Sequence, residues 1–311
     1  MSRRTVILVL ICSCSQAWGV GPSIQRTGAV NAVVQMRAGD DPLGVTATGS
    51  VVAKRIDSAG MGWLCVLTAD HVAGAGFTGI GFGDGDPPPL TFAADDSLTF
   101  RAPFGGADLA VIGVPYGSPD GFFESLEPLS LAPSDPGSLI GTQFSQIGYG
   151  WTGVPIEGGL GLATQPRAGV KGFQNNVVER VRPFGGVFTP YAYTALEWDF
   201  NQPGASGAVV GEGSSFNGDS GSPYLIGSPT AVTLESGAVM EHFTIGIAAV
   251  HTYGDSSREH GWVGSGDHIP GGGVAITPGV AEWIGARCAE VPAPGSLAVV
   301  LVLGLAARRR R

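Results

Sequence analysis

Residues Phe216 to Leu225 read FNGDSGSPYL, with Ser220 between two glycines, one position after Asp219 and three before Pro223. Taken alone, a stretch rich in glycine and serine is an ordinary turn. Two other stretches change that reading. WLCVLTADHVAG, Trp63 to Gly74, is an apolar run of strand type that ends in Thr68, Ala69, Asp70 and His71, where a short helical turn begins. GGADLAVIGV, Gly105 to Val114, sets Asp108 at the head of another apolar strand. An acid there is costly to bury unless a partner waits for it. The chain order is therefore His71, Asp108, Ser220. A serine hydroxyl is a weak nucleophile and needs a base within hydrogen-bond reach. Histidine takes and returns a proton near neutral pH, and an aspartate fixes its tautomer and stabilises its cation. Gly218 lets the backbone bend so that its N–H and that of Ser220 converge on one developing oxyanion.

The surrounding chain suits such a site. It has 311 residues, 51 of them Gly and 22 Pro, with 43% apolar and 14% charged residues. That composition argues against a helical bundle and against disorder, and no repeat of 20–50 residues is evident. AVNAVVQM, GSVVAKRI, WLCVLT, DLAVIGV, LIGTQFSQIGYG, NVVERV, YTALEWDF, FTIGIAAVHTY and GGVAIT all read as strands. Frequent Gly, Pro, Asp and Ser between them predict barrels or a sandwich rather than βαβ units. A terminal helix is expected in TPGVAEWIGARC, with Thr277 as its cap and Pro278 in the first turn. Linker character peaks over SLAPSDPGS, Ser130 to Ser138, where a boundary between two β subdomains is expected.

Both ends read as processing segments. Residues 1–19 carry Arg3 and Arg4, an apolar run and small residues at Ala17 and Gly19, the order of a secretory signal peptide. The last twenty residues run from Pro292 and Pro294 through an apolar stretch, Leu297 to Ala307, to Arg308–Arg311. That stretch is short for a permanent span, where roughly 20 apolar residues are usual. Setting aside the six arginines of the two segments leaves 11 of the 17 Lys+Arg against 26 acidic residues, a net charge of −15. Such a surface repels nucleic acid. Cys12 and Cys14 leave with the signal, so Cys65 and Cys288 remain. In an exported chain they read as one disulfide, the other reading being two buried thiols.

LTADH, DLAV and GDSGSP resemble the histidine, aspartate and serine motifs of the chymotrypsin/trypsin-like serine protease family. IGYG (Ile147–Gly150) resembles its glycine–aromatic–glycine strand, VHTYG (Val250–Gly254) its cleft-lining segment, and AEWI the start of its C-terminal helix. The resemblance spans about residues 30–288. It implies an all-β fold of two antiparallel six-stranded β-barrels, 28–132 and 133–288, with a short C-terminal α-helix. The cleft between them would hold His71, Asp108 and Ser220. It also implies a serine endopeptidase that acts on polypeptides through an acyl-enzyme, with no cofactor and as a monomer. The motif alignment places Cys65 and Cys288 close together, and hence a disulfide. The chain departs from the family at Val72 and Ser222, where cysteine and glycine are usual, and it shows no IVGG-type start to supply an amine for Asp219. The rival from another class is an inactive protease-like surface protein used for binding or adhesion.

The same alignment sets Ser214 and Ser215 at the base of the primary pocket, where the lack of an acid disfavours Arg and Lys. Thr252, Tyr253 and Gly254 would pair with substrate backbone. His251 precedes them, as in glutamyl endopeptidases of the family, whose histidine binds the substrate carboxylate. One reading is therefore a preference for Glu over Asp before the scissile bond. The other makes His251 a packed strand residue in a pocket for small or apolar side chains. Asp84, Asp86, Asp95 and Asp96 lie roughly where trypsin-like proteins carry a calcium loop, but their spacing fits no strong motif and no metal is assigned. Asp70 reads as structural, because adjacent side chains diverge. His242, His260 and His268 read as surface residues. The C-terminal segment resembles the PEP-CTERM sorting signal, which implies an exosortase-type processing partner and delivery to the cell surface; the family's glutamate between two prolines is Ala293 here.

Overall fold

The computed structural model describes residues 31–291 apart from 39–45, 57–60, 75–76, 84–89, 95, 104, 118–124, 151, 155, 158–161, 166–170, 187–188, 202–206, 211, 214–217, 234–238, 244–245, 255–260 and 263–269. The two end segments, Ser214, Ser215, Asp84, Asp86, Asp95, His260 and His268 lie outside the described residues, as does the side chain of Asp96.

The first sheet is built from β1 (Val33–Ala38), β2 (Thr46–Ile56), β3 (Met61–Thr68), β4 (Phe77–Phe82), β5 (Leu90–Ala93), β6 (Thr99–Arg101) and β7 (Ala110–Gly117), in the order β5-β4-β1-β2-β3-β7-β6. Every pairing in it is antiparallel. β3 is central because its sequence, MGWLCVLT, has no charged residue to keep in water, and Leu64, Val66 and Leu67 are fully buried. It ends at Thr68, and the short α1 (Asp70–Ala73) turns away at once.

The second sheet takes β8 (Ser130–Leu131), β9 (Gln143–Gly148), β13 (Gly172–Val177), β14 (Arg180–Gly186), β15 (Thr189–Asp199), β16 (Pro223–Ile226), β19 (Gly246–Gly254) and β21 (Pro270–Ala275). Its order is β13-β9-β16-β19-β21-β15-β14, with β8 added in parallel on β19. Smaller pairs join β10 (Thr152–Val154) to β12 (Leu162–Gln165), β11 (Ile156–Glu157) to β20 (Gly261–Trp262), and β17 (Pro229–Thr233) to β18 (Val239–Phe243). The fold is the expected all-β, two-barrel plan, with short pieces such as β6 and β8 taking the sheets to seven and eight strands. NVVERV, expected as one strand, divides between β13 and β14, with Val178 N–H turning to the Thr142 carbonyl and Glu179 N–H to that of Glu197.

The two sheets share one apolar cluster. Leu64, Leu67, Val111 and Ile112 of the first belong with Ile147, Leu225, Val250 and Val274 of the second. The second barrel also buries many polar groups, among them Ser145, Gln146, Gln174, Asn175 and Ser222. Several of them pair with one another: Gln174 donates to Gln146, which donates to Ser222, and Ser145 donates to Asn175.

The terminal helix α2 (Pro278–Glu290) starts as its sequence predicts: the Thr277 hydroxyl accepts the Val280 N–H and Pro278 occupies the first turn. It returns to the first barrel, where Cys288 is joined to Cys65 of β3 across 223 residues. No helix among the described residues is long and apolar enough to cross a membrane.

Candidate active site

Asp108 lies just before β7 and is buried. One carboxylate oxygen accepts the His71 backbone N–H at 3.0 Å, and the other meets His71 Nδ1 at 2.8 Å. A carboxylate that holds both the peptide and the ring of one histidine fixes that side chain at two points. Nδ1–H is then the donor, and Nε2 is left as the acceptor. The His71 side chain is 39% exposed, against 6% for Asp108, so the ring reaches solvent while the carboxylate that holds it does not.

Ser220 enters from the second barrel. Its carbonyl accepts the Thr48 N–H of β2 at 2.9 Å, and Thr48's own carbonyl accepts the Thr68 hydroxyl at 2.8 Å. Thr68 stands three residues before His71, so a short chain of bonds ties the serine loop to the histidine's strand. Among the described residues no hydrogen bond joins Ser220 Oγ to the His71 ring; such bonds often tighten only when substrate is bound. Gly218 and Gly221 have φ of +96° and +85°, a region that favours glycine. A Cβ on Gly221 would also fall 2.0 Å from the Thr48 carbonyl oxygen. The N–H groups of Gly218 and Ser220 donate to no other described residue in the backbone bonds of this loop.

Asp219 is fully buried, and Gly150 N–H donates to its Oδ1 at 3.0 Å. Its carboxylate fills the space where Gly148 and Gly150 would carry a Cβ. The glycines of IGYG thus form a seat for Asp219, a contact the motif reading did not foresee.

Asp70 is buried beside His71 and serves structure, as its sequence position suggested. Arg101 forks onto it at 2.6 and 2.8 Å, and the Tyr191 hydroxyl of the second barrel donates at 2.9 Å. On either side of Tyr191, the Pro190 carbonyl accepts the Gly105 N–H and the Ala192 N–H donates to the Gly106 carbonyl. The loop leading to Asp108 is therefore docked on β15.

His251 is buried, with its ring tilted against Trp198 and Tyr224. Trp198 Nε1–H donates to the Tyr224 oxygen at 2.8 Å, so the Tyr224 O–H is left to donate to His251 Nδ1, 2.7 Å away. The neutral ring then carries its proton on Nε2. Burial first, and the nearby His71 ring second, push the His251 pKa down to about 3. Beyond His251, β21 pairs with Tyr253 and Gly254, whereas β16 pairs with β19 only as far as Val250. The other edge of Thr252–Gly254 has no strand partner among the described residues. Thr252 is held by Tyr193 and Tyr253 by Glu197, and Phe184 stacks between the Tyr193 and Tyr253 rings. His242 is not at the surface as expected: it is buried beside Phe173, because β18 carries it inward, and burial lowers its pKa. No group of three metal-ligating residues occurs among the described residues.

The sequence reading missed Thr48, Thr68, Arg101, Tyr191, Tyr193, Trp198 and Tyr224. Each acts through a partner distant in sequence; Thr68 lies within LTADH and Tyr224 within FNGDSGSPYL, but neither motif shows that partner.

These sheets and this cleft define a chymotrypsin-like fold. Solved structures share it over nearly their whole length. An HL collagenase matches at 13% identity over 87% of this chain and 98% of its own, with a TM-score of 0.54. Human heparin binding protein matches at 15% identity over 89% and 99%, also at 0.54. A scabies mite inactivated protease paralogue matches at 15% identity over 84% and 96%, at 0.50. No family model matches the chain, and no curated protein matches it. An inactivated paralogue among these neighbours shows that the fold alone does not decide activity.

Proposed function

We propose that the protein is an exported serine endopeptidase, and the observation that carries this reading is the two-point grip of Asp108 on His71 in the cleft that Ser220 enters. Ser220 Oγ attacks the peptide carbonyl carbon while His71 Nε2 takes its proton. Asp108 stabilises the imidazolium, and the N–H groups of Gly218 and Ser220 receive the oxyanion. The C–N bond then breaks, His71 returns the proton to the leaving amine, and water hydrolyses the acyl-enzyme by the same route. Substrate backbone adds to the open edge of Thr252–Gly254.

The preferred residue before the scissile bond is Glu over Asp. His251 supports this as a ring held to one tautomer by the Trp198–Tyr224 chain, with a single N–H left to offer a carboxylate. Ser214 and Ser215 would complete the pocket. The N-terminal segment directs export, and the C-terminal segment directs exosortase-type processing and surface delivery.

Fluorophosphonate labelling of the processed protein, together with peptide-library cleavage by the native chain and His251→Ala, tests this reading. Labelling lost in Ser220→Ala and a Glu preference lost in His251→Ala are expected. An unlabelled native protein points to a surface binding module, and a Glu preference that survives His251→Ala removes the role given to that ring.

A further inference from the structure

Thr48 has no exposed surface and stands in β2 of the first barrel, yet its bonds run to the serine loop of the second. Its N–H donates to the Ser220 carbonyl at 2.9 Å. Its hydroxyl donates to the Gly218 carbonyl at 3.0 Å and accepts the Tyr149 N–H at 2.9 Å. The next residue after Tyr149 is Gly150, whose N–H holds Asp219 at 3.0 Å. Three hydrogen bonds and two peptide links thus close a ring: Thr48 hydroxyl, Gly218, Asp219, Gly150, Tyr149 and back to the hydroxyl.

The ring brackets the peptide that matters. The Thr48 hydroxyl fixes the plane of the 218–219 peptide, and the Thr48 N–H fixes that of the 220–221 peptide. Between them lies the 219–220 peptide, whose N–H belongs to Ser220. With both neighbours and the Asp219 side chain held, that N–H has little freedom to turn away. Thr48 is itself held from behind by the Thr68 hydroxyl on its carbonyl. We propose that the Thr48 hydroxyl is a positioning residue for the oxyanion site: the first barrel uses it to hold the serine loop of the second in the shape that receives a tetrahedral intermediate. This rests on the protease reading above.

A preorganised donor pair acts in the transition state more than in the ground state. Loss of the hydroxyl should therefore lower kcat and leave KM nearly unchanged. Thr48→Val keeps the shape and removes the hydroxyl, and Thr48→Ser keeps the hydroxyl. Both are compared with the native chain by kcat and KM on a peptide substrate, by fluorophosphonate labelling rate, and by amide hydrogen exchange over residues 218–222. Thr48→Val is expected to lose about 10- to 100-fold in kcat and labelling, with KM within about 3-fold and faster exchange over 218–222. Thr48→Ser is expected within about 3-fold of native. Labelling and exchange at the native rate in Thr48→Val overturn the proposal, as does an equal loss in Thr48→Ser. If the native chain itself is not labelled, the protease reading fails. Faster exchange in Thr48→Val but not in Thr48→Ser then still assigns the loop-holding role to the hydroxyl.

Discussion

Asp219 shows how much one residue asks of others. A carboxylate taken wholly out of water must find donors and room, and Gly150 supplies both, giving its N–H and, through its missing side chain, the space. A Cβ on Gly150 would lie 2.3 Å from the Asp219 carboxyl carbon, closer than side-chain atoms come. Gly150→Ala is therefore expected to destabilise the protein by about 1–3 kcal/mol, as overpacking of a filled interior does, and to abolish serine labelling. Urea unfolding and fluorophosphonate labelling check this; native behaviour in both removes the seat assigned to Asp219. The motif residues were legible in the sequence because each type announces its chemistry. His71 and Asp108 do meet, and Cys65 does join Cys288. Thr48 was not legible: a threonine in an alternating strand looks like any other, and its partner Gly218 is 170 residues away.

At the scale of the element, β15 carries several of the hydrogen bonds between the barrels. Tyr191 reaches Asp70 beside His71, its neighbours hold Gly105 and Gly106 ahead of Asp108, and Tyr193 binds Thr252 on the open edge. Alternation along the strand puts Tyr191 and Tyr193 on one face, so one strand braces the candidate base, the candidate acid and the candidate substrate edge. Tyr191→Phe removes one bond to a buried charged acceptor and is expected to cost about 1.5–3 kcal/mol. A two- to ten-fold fall in kcat/KM, on the order of 1 kcal/mol, is expected with it. An unchanged urea midpoint and an unchanged kcat/KM contradict the bracing role. YTALEWDF was readable as a strand from its alternation, and the Thr277 cap from its position before Pro278. The division of NVVERV into two strands was not readable, since its apolar residues run on while the chain turns at Val178.

For the whole molecule, two buried groups set opposite pH trends. His251 ordinarily titrates near 6.5, and folding lowers this to about 3. The unfolded chain therefore binds that proton more readily, and the stability His251 contributes is complete above 6.5 and lost as pH falls towards 3. Glu212 accepts the Asn201 and Val209 N–H groups, yet burial raises its pKa from 4.5 to about 7. Its stabilising contribution is complete below 4.5 and lost as pH rises through 7. Each group changes stability by about 1.4 kcal/mol per pH unit within its own window. The two slopes oppose each other between 4.5 and 6.5, and His242, whose pKa burial also lowers, adds to the acid-side trend. Stability is therefore expected to fall on the acid side from the two histidines and on the neutral side from Glu212. Urea midpoints measured from pH 4 to 8 test this. Glu212→Gln should remove the neutral-side fall, and its persistence in that variant shows that Glu212 is not the cause.

The first barrel also receives the far end of the described chain. Arg55 donates to the Val291 carbonyl, the Val291 methyl groups sit over the face of β7 where Gly113 has no side chain, and Cys288 is bonded to β3. Any tension applied beyond Val291 is therefore borne by β3, β7 and a covalent link at Cys65. The strands that carry Ser220 and the open edge lie outside that load path, whereas β3 and β7 lead directly to His71 and Asp108, so a pull on the C-terminal end reaches the histidine side of the cleft before the serine side.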